Sequence, residues 1–423
     1  MIKILNYSEV SPDEVFARSV PEVDVAGIVS EIIADVRARD DAALFDYCRK
    51  FDKAELTELE VSPEEIDAAL AQVEPEFIEV LETAAANIRA FHEKQVRNSF
   101  IIAEKDGVVM GQKVTPLHSV GLYVPGGTAA YPSTVLMDAI PAKIAGCESI
   151  VMVTPPTKDG SVNPAILAAA KVAGVDHIYK VGGAQAIAAL AYGTDSIPPV
   201  DKIVGPGNAF VAEAKKQVFG KVAIDMIAGP SEILIVADGK SNPRHLAADL
   251  LSQAEHDKLA SAVLVTDSMA LAEAVRDEVE RQVRELPRYE IASASIDVNG
   301  KIIVTENLDQ AIDISNVIAP EHLELCVDNP FDYLDKVKHA GSIFMGRYCP
   351  EALGDYLAGP NHTLPTGGTA RFYSPLSVDD FVKKSQYTYF TADALAAVAD
   401  KVARFARKEG LEGHARSALA RFE

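Results

Sequence analysis

Ile203-Val204-Gly205-Pro206-Gly207-Asn208-Ala209-Phe210 decides the fold. A short apolar strand meets a glycine–proline turn, and the turn opens a helix. The same pattern occurs twice upstream. Leu122-Tyr123-Val124 runs into Pro125-Gly126-Gly127-Thr128, and the strand His177 to Val181 runs into Gly182-Gly183. Between them, Ile150 to Val153 reads as a strand, and Asn163-Pro164 starts a helix that Gly174 ends. Ile233–Val236, Ala262–Val265, Ile302–Val304, Leu323–Val327 and Ile343-Phe344 continue the strand series. Short apolar strands alternating with amphipathic helices indicate parallel βαβ units. Two such halves are expected, over 121–231 and 232–376.

The first hundred residues read as helical. Ser11-Pro12-Asp13-Glu14 and Ser62-Pro63-Glu64-Glu65 look like capping boxes with proline at the first helical position. Ile28, Ile32, Val36, Ala43 and Phe45 form one apolar stripe, and Phe77, Val80, Leu81, Ala84 and Ile88 form another. Helices covering a sheet account for this region, with no chemistry in it. From Asp379 the chain again reads as helical and ends in a basic helix through Arg404 and Arg407.

At 423 residues the chain is expected to hold more than one core. Its formal charge of −22 repels phosphate backbones, so nucleic acid is excluded as a partner. No apolar run reaches the roughly 18 residues of a membrane helix, and Met1-Ile2-Lys3 does not open a signal peptide. Cys48, Cys147, Cys326 and Cys349 are scattered, which fits a reducing, cytoplasmic location and disfavours a thiolate zinc site. Cys147 has no basic neighbour in sequence and reads as a buried structural thiol.

Three glycine turns on successive strands face one edge of a parallel sheet, where ligands bind in open α/β folds. None completes G-x-G-x-x-G, so each is equally an ordinary βα loop. Ser252-Gln253-Ala254-Glu255-His256 ends a helix that begins at Asn242-Pro243. Gln253 and His256, three apart, share a face and could form half of a metal site. Ala319-Pro320-Glu321-His322 sets a carboxylate beside an imidazole just before a strand. On an extended segment neighbours point to opposite faces, so these are two separate groups and not a hydrogen-bonded dyad. Ser231, in Ala228-Gly229-Pro230-Ser231-Glu232, lies outside any G-x-S-x-G and reads alone as a turn hydroxyl. The stretch Gly354 to Gly368 reads as a long Gly- and Pro-rich loop carrying Asp355, Asn361 and His362. Glu409 and His414 lie in a turn that interrupts the C-terminal helices.

Taken together and in order, these motifs closely resemble the histidinol dehydrogenase family, over essentially the whole chain. They are Gly121 to Gly127, Val181 to Ala186, Gly205 to Phe210, Ala228 to Glu232, Ser252 to His256, Pro320 to His322 and Asn361 to Thr366. With the βαβ alternation, the resemblance implies an α/β fold of two incomplete Rossmann-like parallel-sheet domains with helical N- and C-terminal extensions. The expected divisions are an N-terminal extension over 1–22, a discontinuous domain of 23–120 plus 232–376 carrying the metal and acid–base residues, an NAD-contacting domain over 121–231, and a tail over 377–423. The resemblance further implies oxidation of L-histidinol to L-histidine through L-histidinaldehyde, with two NAD-dependent hydride transfers, as the last step of histidine biosynthesis. It implies one zinc ion per subunit on Gln253, His256, Asp355 and His414, with His414 supplied by the partner of a homodimer. Ser231, His322, His362 and Glu409 match substrate contacts, as do the four metal ligands. Tyr123, Gln185 and Asn208 match NAD contacts. His322 would be the base and Glu321 the group that activates water. Two other functions use some of the same residues. One is a zinc-dependent hydrolase, which leaves the glycine turns without purpose. The other is a non-catalytic two-lobed binding protein, which leaves the metal set unexplained.

Overall fold

A computed structural model of the chain describes residues 2–17, 24–126 and 130–423. These form two compact units, 1–95 with 118–381, and 96–117 with 382–423.

The first unit holds two parallel sheets. One has six strands in the order β1-β11-β10-β9-β12-β13, namely Lys3–Asn6, Lys301–Val304, Ser261–Thr266, Glu232–Ala237, His322–Cys326 and Ser342–Met345. The other has five, β6-β5-β4-β7-β8, namely His177–Lys180, Ser149–Thr154, Ser119–Tyr123, Lys202–Val204 and Ala223–Ile224. Both orders reverse direction in mid-sheet, between β4 and β7 and between β9 and β12. The strands that read as continuous apolar runs are those covered on both faces. All six residues of β9 are buried, as parallel sheets require.

The α/β alternation is as expected, and the differences lie at its margins. Residues 3–6, assigned to a helical extension, are instead an edge strand. β1 is four residues long, and its register comes from β11, 298 residues away from Lys3 at Lys301. A strand this short carries no periodicity of its own. The helices over 26–92 were grouped with residues 232–376, but they cover the five-stranded sheet. Val29, Ile32, Ile33, Val36 and Leu44 share a core with Tyr123, Val151, Val153 and Ile187. The apolar stripe read from sequence is this contact face.

The second unit is a three-stranded antiparallel sheet, β14-β3-β2, with two helices, Ala392–Lys408 and Glu412–Leu419. β2 is Phe100–Lys105, β3 is Val108–Pro116 and β14 is Val382–Phe390. The tail expected to be wholly helical thus begins with a nine-residue strand. Every residue of β2 is exposed, including Phe100, Ile101 and Ile102.

Beside the five-stranded sheet lies a buried ion pair. Lys215, in the helix Ala209–Val218, is paired with Asp225. Lys215 Nζ also donates to the Gly205 carbonyl at 3.0 Å, and Asp225 Oδ2 accepts from the Gly205 N–H at 2.8 Å. The pair grips both polar groups of one turn residue. Gly205 has φ +111°, and a Cβ there would meet the Tyr123 carbonyl at 2.2 Å, so only glycine serves. Removing one partner of a buried pair leaves the other charge uncompensated, at about 3–5 kcal/mol. Lys215→Met should therefore lower stability by about 3–5 kcal/mol in denaturant titration. A change under about 1 kcal/mol would show that Asp225 finds another partner.

Candidate functional site

The site lies at the amino edge of the six-stranded sheet, where β9 and β12 begin beside each other with His322 in register with Ile233. Glu232, the first residue of β9, offers its two backbone groups to this edge. Its N–H is accepted by Glu321 Oε2 at 2.8 Å, and its carbonyl lies 3.0 Å from His322 Nδ1. A carbonyl only accepts, so Nδ1 carries the proton and Nε2 presents its lone pair. Nε2 is buried and has no hydrogen-bond partner among the described residues. It lies 3.9 Å from Asp355 Oδ1 and 4.0 Å from Glu351 Oε1.

Glu321 and His322 are not bonded to each other; Oε2 and Nδ1 are 3.7 Å apart. The expectation of opposite faces is corrected, because β12 starts at His322 and Glu321 precedes the pleated segment. Both side chains instead converge on Glu232. Burial pushes the Glu321 carboxyl well above the usual range, against the lowering effect of the Glu232 N–H. Such a carboxyl exchanges protons nearer neutral pH than an exposed glutamate does.

Gln253 ends the helix Pro243–Ala254, which Asn242 caps through its side chain and which begins with proline. Its Oε1 is buried and unpartnered among the described residues, while Gln253 itself is 1 % exposed. An amide oxygen left without a donor in the interior is costly, so the site is built for something that takes its lone pair. His256, one turn on, has its pKa lowered by burial, which outweighs the Asp355 charge. It is therefore the neutral imidazole that a metal requires. Asp355 lies on the short helix Glu351–Tyr356 rather than on the loop expected over 354–368, because Pro350 starts that helix. Burial would raise its pKa, but His362 and His322 outweigh burial and hold the carboxylate ionised. Its Oδ1 is 3.6 Å from His362 Nδ1. Burial would depress His362 in turn, and the Asp355 carboxylate reverses that and raises it.

Gln253, His256 and Asp355 thus offer an amide oxygen, a neutral imidazole and an ionised carboxylate, of which the imidazole and the carboxylate are ordinary zinc donors. Donor atoms of His322, Glu351 and Asp355 lie within 4.8 Å of one another and could hold a cation. Glu351 is the weaker donor, since burial pushes it up to about 8, above its Ser252 hydrogen bond at 3.0 Å. Using His322 Nε2 as a ligand would also remove the lone pair that the Glu232 carbonyl exposes.

Ser231 is half-buried, directly before Glu232, with its carbonyl accepting from Ser261 N–H. Glu409 and His414 are exposed in the second unit, His414 on the helix Glu412–Leu419. Tyr123 ends β4, Gln185 and Asn208 follow the carboxyl ends of β6 and β7, and Tyr123 and Asn208 flank the β4–β7 reversal. Ligands bind at such reversals. Tyr123 is buried, and its Oη accepts from Gly183 N–H at 3.0 Å; Gln185 is also buried. Asn208 is exposed, and its Oδ1 caps the next helix through the Phe210 and Val211 N–H groups. Cys147 is buried, as expected.

Four residues with no local signal emerge around the site. Glu324 and Glu351, both buried, and the half-buried Asp249 form a carboxyl row behind it, with Glu324 Oε1 accepting from Glu351 N–H at 2.7 Å. His92, in the region read as free of chemistry, is fully buried, and its Nε2 lies 3.4 Å from Asn361 Nδ2.

A family model described as histidinol dehydrogenase matches residues 17–422. Among curated relatives, the histidinol dehydrogenase of Clostridium acetobutylicum is 58 % identical over 400 residues, covering 95 % of this chain and 93 % of its own. That of Lactiplantibacillus plantarum is 58 % identical over 402 residues, covering 95 % and 94 %. The solved histidinol dehydrogenase of Elizabethkingia anophelis superposes with a TM-score of 0.94 at 41 % identity, over 99 % of this chain and 98 % of that one.

A further buried carboxyl, Asp138, is pushed up to about 7 by desolvation; the neighbouring Asp225 adds to the rise, and Thr363, His362 and Lys215 oppose it. Its folded pKa exceeds the unfolded value, so its stabilisation is complete below about pH 4 and is lost as pH rises to about 7. Asp138→Asn should therefore gain stability relative to the parent chain between pH 4.5 and 7.5, by denaturant titration at both. A difference that is constant with pH would contradict this sign.

Proposed function

Because the chain belongs to the histidinol dehydrogenase family, NAD-dependent oxidoreductases that catalyse the last step to histidine, we propose that the Glu232–Glu321–His322 edge performs the proton chemistry of that oxidation. The observation that carries this reading is the unpartnered His322 Nε2, buried and aimed toward Asp355 with its tautomer set by the Glu232 carbonyl.

Gln253, His256 and Asp355 would hold one zinc ion, with His414 of a second copy as the fourth ligand. Zinc, when bound, orients the substrate through its imidazole and amino nitrogens, and NAD, when bound, accepts hydride. An alcohol carbon releases hydride only as its hydroxyl proton leaves, and His322 Nε2 takes that proton. L-histidinaldehyde has no hydroxyl to oxidise, so water adds first. Glu321 accepts the proton of that water, and burial, which raises its pKa, makes its carboxylate a stronger base than an exposed one. As water adds, the aldehyde oxygen takes back the proton held on His322, which restores the base, and the resulting diol then gives a proton to His322 as its hydride leaves, for which a second NAD would be the acceptor. Ser231, His362 and Glu409 contact the substrate, and Tyr123, Gln185 and Asn208 line the NAD edge.

A homodimer with shared sites is supported by the second unit itself. Its sheet exposes apolar side chains on both faces, Ile101, Tyr387 and Tyr389 on one and Phe100 and Met110 on the other, and clustered exposure of this kind marks interaction surfaces. The helix Ala392–Lys408 adds an exposed Phe405. A cytoplasmic location fits four free cysteines. No helix among the described residues is long and apolar enough to cross a membrane. A hydrolase built on the same donors would leave the carboxyl edge of the five-stranded sheet without a ligand.

Incubation with L-histidinol and excess NAD should yield two NADH per histidine, lost on prolonged chelation and restored by zinc. One NADH with accumulating aldehyde would contradict the role of Glu321. Gln253→Ala and His414→Ala should each lower zinc content by elemental analysis. Unchanged zinc in either variant would remove that residue from the ligand set.

A further inference from the structure

The helix Pro132–Ala145 contains a proline, Pro141, in its interior. An interior proline has no N–H for the carbonyl four residues earlier. That carbonyl belongs to Met137, and Asn361 Nδ2 donates to it at 2.6 Å. The next two residues reach the same helix. Thr134 Oγ1 lies 3.4 Å from His362 Nε2, and Thr363 Oγ1 donates to Asp138 Oδ1 at 2.9 Å. Three successive residues, 361 to 363, thus engage positions 137, 134 and 138. Positions 134, 137 and 138 share one helix face by their spacing of three and four. Asn361 Oδ1 closes the arrangement by accepting from Thr363 N–H at 2.8 Å. All of these groups are buried or nearly so, so each bond carries the cost of an unmade one.

We propose that this helix face is a cradle that positions His362, and that Pro141 creates it by withholding an N–H from the Met137 carbonyl. Asp138 and Pro141 are positioning residues, acting through the segment they hold. The inference rests on the reading of His362 as a substrate contact. Asp138 Oδ2 also lies on the side of Gly205, 3.0 Å from where a Cβ on that glycine would stand, and makes no hydrogen bond among the described residues.

Pro141→Ala separates this role from a structural one. It returns an N–H to the Met137 carbonyl, which heals the helix while competing with Asn361. The variant should melt at or above the parent temperature and keep its zinc. Its KM for L-histidinol should rise by up to about tenfold, equivalent to about 1.4 kcal/mol, with kcat changed less. Amide exchange over 361–366 should become faster while exchange in the β-strands stays unchanged. Thr363→Val should give the same pattern, and Asp138→Asn, which keeps an acceptor for Thr363, should recover most of what Asp138→Ala loses. If Asp138→Ala does not fold, Pro141→Ala and Thr363→Val still decide. Unchanged KM and unchanged exchange over 361–366 in Pro141→Ala would overturn the cradle. Should the parent chain oxidise no L-histidinol, the substrate reading fails, and the exchange arm still decides whether Pro141 and Asp138 set the segment.

Discussion

Two backbone groups of Glu232 anchor the whole candidate site. Burial makes the N–H of a strand's first residue costly to leave unpaired, and a strand carbonyl has a second lone pair to offer a side chain. Here they are satisfied by Glu321 and His322 from the neighbouring strand's start. That pairing orients the two side chains, fixes which imidazole nitrogen is free and sets the proposed acid–base pair at the amino edge of the sheet. The more familiar location for ligands in such sheets is the carboxyl edge. The five-stranded sheet has its own reversal between β4 and β7, with the Gly205 turn at that carboxyl edge.

The two edges are joined inside the first unit by the segment over 361–366. It reaches the helix Pro132–Ala145 through Met137 and Asp138, and Thr366 Oγ1 accepts from Gly229 N–H at 2.6 Å, two residues before Ser231. Hydride transfer needs substrate and dinucleotide held within contact, and small misplacements are costly in rate. A segment bonded at one end to the helix Pro132–Ala145 and at the other to Gly229, just before β9, meets that need with hydrogen bonds rather than with loop length.

Much of this was legible in the sequence because it is encoded locally. Strand–glycine–helix alternation gave the parallel sheets, and Asn242-Pro243 gave the helix that ends at Gln253. The Glu321-His322 pair stood out by adjacency. What escaped depends on partners far along the chain. His92 meets Asn361 across 269 residues, and Thr363 meets Asp138 across 225. Neither His92 nor Asp138 carries a local mark, since a buried acid in an apolar helix looks like an exposed one until its neighbours are known. β1 is short enough to need β11 to exist at all. β14 is different, because Gln386-Tyr387-Thr388-Tyr389-Phe390 is rich in strand-favouring residues and the signal was available. Pro141 likewise stood in the sequence, and its meaning depended on seeing that Asn361 takes the freed carbonyl.

The most direct test of the central claim is the tautomer of His322. Nitrogen-15 spectra of histidine-labelled protein, assigned by comparison with His322→Asn, report which ring nitrogen is protonated. At neutral pH, in zinc-loaded protein without substrate, the Glu232 carbonyl requires a protonated Nδ1 and a free, lone-pair-bearing Nε2. A neutral His322 with its proton on Nε2 would contradict the account, because the base would then face away from the site.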